Sequence, residues 1–470
     1  MYTIEQIFIN GEFVTPHGTE RFDLYNPATA QVIGQVRLAD EVDAARAVAA
    51  AKAAFPAWSQ TTKQERIAAL KRMHAAVAAR HDDLLEAVIE EYGAPASRSA
   101  WMASYPAEVI AQAIEALEAF EFVTPAGAAT VQMTPLGVAG LITPWNSDAG
   151  FICGKLAAAL AAGCTAVIKP SEMSALQTQI VTEALRDAAL PPGVFNIVTG
   201  RGETVGDTIS RHPDVAKISF TGSTHTGKAI LRNAAESFKR VTLELGGKSP
   251  TILLDDVDLA QAIPLVIQAG FMNSGQACVA GTRILVPYSR KAEIETALAQ
   301  AVATVNSGDP RDKSTDVGPM VSAKQWQRVQ GYIRKGVEEG ARLLAGGEGR
   351  PEGTQDGWFV RPTLFADVNN QMTIARDEIF GPVLCVIPYR DEAEAIAIAN
   401  DTDYGLSAVV LGGADRARRV AQQIVSGRVL VNTLAHEPKA PFGGFKHSGV
   451  GREMGEWGIR AFMEPRSILG

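Results

Sequence analysis

Two short segments of the chain combine a reactive side chain with small residues. One runs Glu244-Leu245-Gly246-Gly247-Lys248 and the other Asn273-Ser274-Gly275-Gln276-Ala277-Cys278, and their glycines allow a backbone to approach a ligand closely. Glu244 offers a carboxylate that could act as a base, and Cys278, 34 residues later, offers a thiol that could act as a nucleophile. This pair suits acyl chemistry, in which the sulfur forms an acyl intermediate and the base activates the water that removes it.

Each of these residues also has a purely structural interpretation. Most single cysteines of intracellular proteins are small buried hydrophobic residues, and the apolar neighbours of Cys153, Cys164 and Cys385 predict that role for all three. Cys278 differs because a polar Ser-Gly-Gln loop precedes it, which makes a catalytic thiol as good an interpretation as a structural one. Glu244 ends an apolar run and could also be a solvated charge at a strand end.

The composition is that of a globular protein large enough for two or three domains, with 470 residues, 46% apolar and 20% charged. The net charge of −8 argues against a nucleic-acid partner, which would require a basic face. The longest apolar candidate for a membrane span, Leu156–Ile168, is too short, and Met1–Val14 lacks the regions of a signal peptide. Few cysteines without paired spacing predict a reducing, cytoplasmic location, and no Cys/His cluster has the spacing of metal ligands.

The pattern of elements predicts an α/β fold that would place these segments at strand ends. The first quarter of the chain predicts helices, including one opened by the capping box Thr62-Lys63-Gln64-Glu65 and another over Pro106–Phe120. Strand and helix patterns then alternate, and a second alternating block runs from Thr251 to about Val431. This alternation is typical of a doubly wound parallel sheet, whose ligands bind at the carboxyl ends of the strands. The strands predicted in the first block are Thr130–Met133, Gly137–Ile142, Ala166–Ile168, Phe195–Val198, Lys217–Phe220 and Val241–Glu244.

Three segments at predicted strand ends carry groups suited to a dinucleotide. Lys169-Pro170-Ser171-Glu172 places a cation and a carboxylate where a ribose diol could bind. Phe220-Thr221-Gly222-Ser223 opens a helix with glycine and hydroxyl residues, which favours an anion. Glu378-Ile379-Phe380 offers a carboxylate and an aromatic ring to a nicotinamide and its ribose. Taken singly, each segment is more simply explained as an ordinary polar turn or helix cap.

Together, these motifs resemble those of the aldehyde dehydrogenase superfamily, in the family's order and over nearly the whole chain. Six or more ordered motifs over about 300 positions are hard to produce by chance, and they favour the functional interpretation of each segment. The motifs are Pro144-Trp145-Asn146, Lys169-Pro170-Ser171-Glu172, Phe220-Thr221-Gly222-Ser223, Glu244-Leu245-Gly246-Gly247-Lys248, Gly275-Gln276-Ala277-Cys278, Glu378-Ile379-Phe380-Gly381-Pro382 and Pro441-Phe442-Gly443-Gly444-Phe445-Lys446.

The resemblance implies oxidation of an aldehyde to a carboxylic acid with NAD, and NADP is the less favoured cofactor because Glu172 would face its 2′-phosphate. Cys278 would attack the aldehyde, and the Asn146 amide and the Cys278 backbone N–H would hold the oxyanion. Glu244 would activate the water that hydrolyses the thioester. Lys155 matches a family lysine linked to proton relay, with a solvated surface charge as the alternative. The implied cofactor-binding residues are Trp145, Lys169, Ser171, Glu172, Gly222, Ser223, Glu378 and Phe380.

The resemblance also implies three structural units. A Rossmann-type dinucleotide-binding domain would cover residues 1–118 and 135–245, and an α/β catalytic domain would cover 246–436. A small β oligomerisation element would come from 119–134 and 452–470. It implies a homodimer or a homotetramer, and the short C-terminal tail leaves the choice between them open.

The departures from the family pattern concern the substrate. Ser147 and Gly154 stand where many members have aromatic side chains, and they lie two turns apart on one face of the predicted helix Ser147–Ala157. Their small size predicts a wide mouth for a bulky or ring-bearing aldehyde, unless neighbouring residues refill the space. The predicted substrate pocket comprises Ser147, Gly154, Met272, Ala277, Val279 and Phe445.

Two rival functions stay open at this point. A CoA-acylating relative would resolve the thioester with a thiol, but such enzymes commonly lack the glutamate base, so Glu244 counts against it. A cofactor-binding protein without catalysis could use the same fold. The presence of both Cys278 and Glu244 counts against that second alternative.

Overall fold

The N-terminal segment contains strands, where the sequence pattern predicted only helices. In the computed structural model, which describes residues 1–354 and 356–470, five strands precede the first helix: β1 Tyr2–Ile4, β2 Ile7–Ile9, β3 Glu12–Val14, β4 Arg21–Asn26 and β5 Gln31–Arg37. Strands of three residues are too short to show the alternation from which strands are predicted. β1, β5 and β4 form a small sheet of their own, whereas β2 and β3 extend a larger one.

Four helices follow, α1 Glu41–Ser59, α2 Lys63–Ala78, α3 His81–Ala87 and α4 Ala96–Ala119. The predicted capping box is confirmed, because the Thr62 hydroxyl accepts the Glu65 N–H at 3.2 Å and the Glu65 carboxylate accepts the Thr62 N–H at 2.7 Å. The predicted start of a helix at Pro106 is wrong: α4 begins ten residues earlier and buries that proline inside the helix. Proline is common at the first helical position, which made it a misleading signal.

Strands and helices alternate through the next 120 residues, as predicted. They are β6 Val123–Ala126, β7 Ala129–Pro135, β8 Val138–Ile142, α5 Asp148–Ala162, β9 Thr165–Lys169, α6 Ala175–Asp187, β10 Phe195–Ile197, α7 Asp207–Arg211, β11 Val215–Thr221, α8 Thr224–Ala235 and β12 Arg240–Glu244. Parallel pairing places five of them in the order β12-β11-β8-β9-β10, and β2 and β3 extend the sheet beyond β10. The strands therefore end at one edge, where Lys169, Thr221 and Glu244 lie.

A second sheet begins six residues after Glu244. The remaining elements are β13 Pro250–Leu253, α9 Leu259–Phe271, β14 Arg283–Pro287, α10 Lys291–Ala303, α11 Ala323–Glu338, β15 Arg342–Ala345, β16 Thr363–Ala366, α12 Thr373–Arg376, β17 Val383–Tyr389, α13 Glu392–Asn400, β18 Ser407–Leu411, α14 Ala414–Ala421, β19 Arg428–Val431, β20 Gly449–Val450, α15 Gly455–Arg460 and β21 Met463–Leu469. The order is β15-β16-β17-β14-β13-β18-β19, and all pairs except β15–β16 are parallel. The predicted second α/β block is confirmed.

The C-terminal segment divides among three places. β20 pairs with β12 at the edge of the first sheet, and α15 packs on α4 and α5. β21 pairs antiparallel with β7, and β6 completes a three-stranded sheet. The whole of β6 is exposed, as are Ile468 and Leu469 of β21. Within the described part of the chain, no helix combines the length and the apolar character that a membrane crossing requires.

Candidate active site

Glu244 and Cys278 approach each other because two glycines allow their loops to touch. Glu244 is the last residue of β12, and Gly246 and Gly247 follow it. A Cβ atom at Gly247 would lie 2.4 Å from the carbonyl oxygen of Cys278. A Cβ atom at Gly246 would lie 2.2 Å from a carboxylate oxygen of Glu378. Any larger side chain at either position would force these segments apart.

The loop before Cys278 is held in an unfavourable backbone conformation. Asn273 and Ser274 have φ angles of 54° and 58°, in the left-handed region that residues other than glycine rarely adopt. This strain costs about 1–3 kcal/mol per residue. Hydrogen bonds hold it, because the Ser274 hydroxyl accepts the Gly318 N–H at 2.9 Å and the Asn273 amide donates to the Asn146 carbonyl at 3.2 Å. The surrounding structure thus sets the position of the thiol.

The side chain of Asn146 lies beside the same loop. Asn146 follows β8, is 9% exposed, and donates one hydrogen bond from its amide to the Gln276 carbonyl at 3.0 Å. A side-chain amide has two N–H groups, so the second is free to serve a reacting oxygen. Together with the backbone N–H of Cys278, this amide is suited to bind an oxyanion.

Burial disfavours the charged form of both reactive groups of the site. Burial raises the pKa of the Cys278 thiol to about 12, and the carboxylates of Glu378 and Glu244 act in the same direction while the Arg428 guanidinium opposes them. Burial also raises the pKa of Glu244 well above its ordinary value, with a further contribution from Glu453. Glu244 is 3% exposed, and neither carboxyl oxygen has a hydrogen-bond partner among the described residues. Those oxygens are therefore available to a proton or to water.

A buried ion pair lies next to Glu244. The Lys155 ammonium contacts a carboxylate oxygen of Glu453 at 2.5 Å and the Ser219 hydroxyl at 2.9 Å. The Ser219 hydroxyl donates to the same carboxylate at 2.8 Å. Glu453 raises the pKa of Glu244 and Lys155 lowers it, so the pair tunes the proton affinity of that carboxyl. Lys155 is 4% exposed, and its interpretation as a solvated surface charge is wrong.

The reactive groups open into one cavity of about 400 Å³. Helices α4 and α5 provide one side of it, and the Cys278 loop and β19 provide another. Apolar cavities with a few convergent polar groups are typical of sites for organic molecules. The larger apolar and aromatic side chains of the lining are Trp101, Tyr105, Phe151, Met272, Phe442 and Phe462.

A charged carboxylate lies at the end of β9. The Glu172 carboxylate contacts the Lys169 ammonium at 3.1 Å and the Arg201 guanidinium at 3.5 Å. Burial alone would raise the pKa of Glu172, but these two cations hold it below its ordinary value, so the group is ionised. Ser171 is 6% exposed and accepts the Met173 N–H at 3.3 Å. An ionised carboxylate at a strand end can accept hydrogen bonds from ribose hydroxyls.

The turn between β11 and α8 has the form of a phosphate site and is tied to the base. The Ser223 hydroxyl caps α8 by accepting the Thr226 N–H at 3.2 Å. The N-terminus of this twelve-residue helix favours an anion. The Gly222 N–H donates to the carbonyl oxygen of Glu244 at 3.0 Å, which links the turn to the catalytic strand.

Glu378, Phe380 and Trp145 form a third group near the thiol. Phe380 has a φ of 61°, and the Gln325 amide holds this turn by donating to the Phe380 carbonyl at 2.7 Å. The Phe380 ring packs edge to face on Trp145 at 5.4 Å between centroids. The Glu378 carboxylate accepts the Gly247 N–H at 3.1 Å, and burial raises its pKa to about 7. An aromatic ring with a carboxylate held this way fits the nicotinamide half of a dinucleotide.

Comparison with known proteins decides the family. The sequence profile of the aldehyde dehydrogenase family matches residues 13–468. The chain belongs to the aldehyde dehydrogenase family. It is 43% identical to a 3-succinoylsemialdehyde-pyridine dehydrogenase of a Pseudomonas species, over 100% of this chain and 99% of that protein. A putative aldehyde dehydrogenase of Staphylococcus haemolyticus is 45% identical with the same coverage.

Solved structures of other family members share the fold. Aldehyde dehydrogenase C of Pseudomonas syringae, a mutant in complex with NAD+ and octanal, is 44% identical, with a TM-score of 0.97 over 99% of this chain and 96% of that one. An aldehyde dehydrogenase of Mycobacterium tuberculosis in complex with NAD+ is 41% identical, with a TM-score of 0.96 over 99% and 98% of the two chains. The predicted family and fold class are confirmed.

Five of the six residues predicted for the substrate pocket of this aldehyde dehydrogenase line the cavity: Ser147, Gly154, Met272, Ala277 and Val279. Phe445 is not among the residues that line this cavity: it is 44% exposed, and its ring lies 5.1 Å from the Arg452 guanidinium. Phe442, three residues earlier, lines the cavity instead. Gly443, with a φ of 155°, turns the chain between them, and the motif alone does not show which ring faces inward.

Helix α4 refills part of the space left by the small residues of α5. A Cβ atom at Gly150 would lie 2.6 Å from the Tyr105 ring, so this glycine admits a ring from the neighbouring helix. A Cβ atom at Gly154 would meet only Val109, at 3.6 Å. The cavity is therefore narrower beside Ser147 than the sequence predicted, and more room is left beside Gly154.

Several polar or aromatic groups of this aldehyde dehydrogenase cavity were not predicted from the sequence, and five of them are charged or belong to the aromatic stack beside Arg98. Three of them lie on α4, far in sequence from the catalytic motifs, and no local motif marks them. Glu453 follows the last glycine-rich motif within a run of glycines, and that setting was the one available signal. These five residues are Arg98, Trp101, Tyr105, Arg428 and Glu453.

Proposed function

We propose that this aldehyde dehydrogenase oxidises aldehydes to carboxylic acids with NAD, using Cys278 as the nucleophile and Glu244 as the base. The main support is that Cys278, Glu244 and Asn146 line one cavity. They come from three separate segments of the chain. A thiol, a base and an amide donor are the parts that acyl chemistry requires. The NAD+ complexes of two relatives support the cofactor.

The first step is attack of the Cys278 sulfur on the aldehyde carbon. Because burial raises the pKa of the thiol to about 12, the thiol would pass its proton to water in the cavity before the sulfur attacks. The second N–H of the Asn146 amide and the backbone N–H of Cys278 would stabilise the oxyanion of the thiohemiacetal. Donors of this kind contribute about 3–4 kcal/mol each to the transition state.

The second step converts the thiohemiacetal into a thioester. NAD supplies the hydride acceptor when it is bound. Lys169 and Glu172 would hold its adenosine ribose, and Ser223 would hold its phosphates. Glu378 and Phe380 would hold the nicotinamide half and so orient it towards the cavity.

The third step is hydrolysis of the thioester. Glu244 would take a proton from water, and the hydroxide would attack the thioester carbon and release the carboxylic acid with the Cys278 thiol. Glu244 would then return that proton to the Cys278 sulfur, which restores the thiol. The neighbouring charges of Glu453 and Lys155 act in opposite directions on the pKa of Glu244 and would tune this transfer.

We expect NAD to exceed NADP in kcat/KM by about tenfold or more, since a 2′-phosphate facing the Glu172 carboxylate is a like-charge contact that costs several kcal/mol. Glu172→Gln should narrow this ratio by removing the charge. Glu20→Gln is the matched control, because Glu20 pairs with the same Arg201 at 2.7 Å from the exposed side. Steady-state kinetics with both cofactors measure the ratio, and comparable values in the wild type would contradict the assignment of Glu172.

We also propose a bulky or ring-bearing aldehyde as the substrate. The support is the small size of Ser147 and Gly154 in the cavity wall and the aromatic side chains elsewhere in the lining. A relative 43% identical is named for a pyridine-bearing semialdehyde. The octanal complex of another relative makes a medium-length aliphatic aldehyde the second candidate. A panel of aldehydes followed by NADH absorbance distinguishes the two.

Added rings at the cavity wall should change the preference between substrates. We expect Ser147→Phe or Gly154→Trp to lower kcat/KM for benzaldehyde relative to propanal by about tenfold, a typical effect of changing pocket volume. Oxidation of propanal should suffer less, because Asn146 and Cys278 are unaltered. Ala100→Phe adds a ring at an exposed position of α4 and serves as the control. An unchanged ratio, or a wild type that prefers acetaldehyde, would show that other residues close the pocket.

Self-association and location complete the proposal. The exposed strand β6, the exposed apolar residues of β21 and the outer position of β19 leave strand edges and apolar side chains available to another copy. We infer a homodimer or homotetramer, which light scattering after size exclusion distinguishes. The free state of all four cysteines is compatible with a reducing, cytoplasmic location.

One assay distinguishes the proposed hydrolysis of the thioester from the rival CoA-acylating reaction. That rival reaction would leave Glu244 without a role, although this carboxyl lies unpartnered beside the thiol. Product analysis with and without CoA decides, since acyl-CoA in place of the free acid would favour the rival. A chain that binds NAD but oxidises no aldehyde would favour the non-catalytic alternative.

A further inference from the structure

Two arginines line the substrate cavity without a carboxylate partner. Arg428, the first residue of β19, makes a single hydrogen bond, from Nε to the Ser407 hydroxyl at 3.3 Å. Arg98, on the first turn of α4, has a buried Nε with no partner at all among the described residues. Burial lowers the pKa of both guanidinium groups, but arginine still remains charged at neutral pH.

No other group of the cavity balances these two charges. The Lys155 ammonium is already paired with Glu453 at 2.5 Å. Burial raises the pKa of Glu244 well above its ordinary value, which disfavours the charged form that could balance an arginine. Burial, assisted by Arg428, lowers the pKa of His436, so its imidazole is neutral. The cavity thus carries an excess of positive charge in a protein whose net charge is −8.

The two arginines share one cavity with an aromatic stack. Arg98 stacks on Trp101 at 3.8 Å from the ring centroid, and Trp101 stacks on Tyr105 at 4.3 Å between centroids. Tyr105 and Arg428 line the same cavity as Arg98. The Tyr105 ring packs against Gly150, where a Cβ atom would lie only 2.6 Å from the ring.

Unpaired charges in an apolar cavity are energetically costly unless a ligand of opposite charge pairs with them. Guanidinium groups recognise carboxylates through paired N–H donors, and a tyrosine hydroxyl can add a further donor. Arg428 and Cys278 line the same cavity, so a carboxylate bound by Arg428 and an aldehyde at Cys278 can belong to one substrate molecule.

We propose that Arg98, Arg428 and Tyr105 form a subsite for a carboxylate carried by the substrate, so that the preferred aldehydes are aldehyde acids. The inference rests on the proposed aldehyde oxidation and specifies its substrate class. The product would be a dicarboxylic acid. A ring between the two functional groups is compatible with the aromatic wall that Trp101 and Tyr105 provide.

The first test compares pairs of aldehydes in which an apolar group takes the place of the carboxylate. 4-Carboxybenzaldehyde is paired with 4-methylbenzaldehyde, and succinic semialdehyde with pentanal. We expect the wild type to favour the carboxylate member of at least one pair in kcat/KM by about 10- to 100-fold, as hydrogen bonds to a charged group provide. Arg428→Met and Arg98→Met should each reduce that preference by about tenfold, and Arg428→Lys should retain part of it.

The control is Arg211→Met, which removes the same charge from an exposed arginine outside the cavity and should keep the wild-type preference. A wild type that favours the neutral member of both pairs would overturn the proposal without any variant. If Arg428→Met lowered kcat/KM equally for charged and neutral aldehydes, the proposal would also be overturned. The guanidinium would then act on the reactivity of the Cys278 thiol and not on a substrate carboxylate. Oxidation of the neutral aldehydes tests the proposed function separately.

A second test needs neither cofactor nor turnover. Iodoacetate and iodoacetamide alkylate thiols, and they differ in charge alone. The other three cysteines are buried, so alkylation should report Cys278, with Cys278→Ala as the blank. We expect the ratio of the iodoacetate rate to the iodoacetamide rate to fall by about tenfold in Arg428→Met and to stay at the wild-type value in Arg211→Met. The same ratio in all three proteins would contradict an anion subsite beside the thiol.

Discussion

Cys278→Ala is expected to abolish NADH formation from every aldehyde while the protein continues to bind NAD. The variant lacks the sulfur that forms the thiohemiacetal and the thioester, and removal of a nucleophile typically lowers kcat by about 10⁴-fold or more. The residues proposed to hold the cofactor, among them Lys169, Glu172 and Phe380, lie on other strands and turns and are not altered. Absorbance at the NADH band measures the first effect, and calorimetric titration with NAD measures the second.

Cys164→Ala provides the matched control for this experiment. Cys164 is fully buried, and its thiol contacts the Phe462 carbonyl in the core, so the same substitution there should affect stability more than the chemical steps. Near-normal turnover in Cys278→Ala would show that another residue is the nucleophile. Loss of NAD binding together with activity would instead show that the loop preceding Cys278 supports the cofactor site.

Glu244→Gln is expected to produce one NADH per site and then to stall. The variant retains the thiol and the oxyanion donors, so a thioester can form, but no carboxylate activates the water that removes it. A rapid-mixing experiment should show a burst followed by turnover reduced by about 100-fold or more, which is the usual contribution of a general base. Mass spectrometry of the stalled enzyme should find the acyl group on the peptide that contains Cys278.

The pH dependence of the wild type follows from the same residue. Burial raises the pKa of Glu244, and the base form exists only above that pKa, so steady turnover should rise as pH increases through it. Glu244→Gln should lack this rise. Glu236→Gln, at an exposed position, is the control and should keep the wild-type profile. Neither burst nor activity in Glu244→Gln would mean that Glu244 is needed earlier, to take the proton of the thiol.

The motifs of the sequence were enough to predict the family, the chemical class and the alternation of strands and helices that follows α4. Glu244 and Cys278 could be recognised because their neighbours are glycines and small residues in contiguous runs. The parallel strands could be recognised because a strand buried on both faces, such as Val383–Tyr389, is an unbroken apolar run. Such signals are local, because each is contained in one contiguous segment of the chain.

Only the tertiary structure decided which side chains surround the thiol. Arg98 and Tyr105 come from a helix more than 170 residues before Cys278, and Arg428 comes from a strand 150 residues after it. The choice of Phe442 over Phe445 depends on the turn at Gly443, and the space beside Ser147 depends on how α4 packs on α5. Charges and volumes in a cavity are sums over segments that meet only after folding, so no single segment of the sequence contains them.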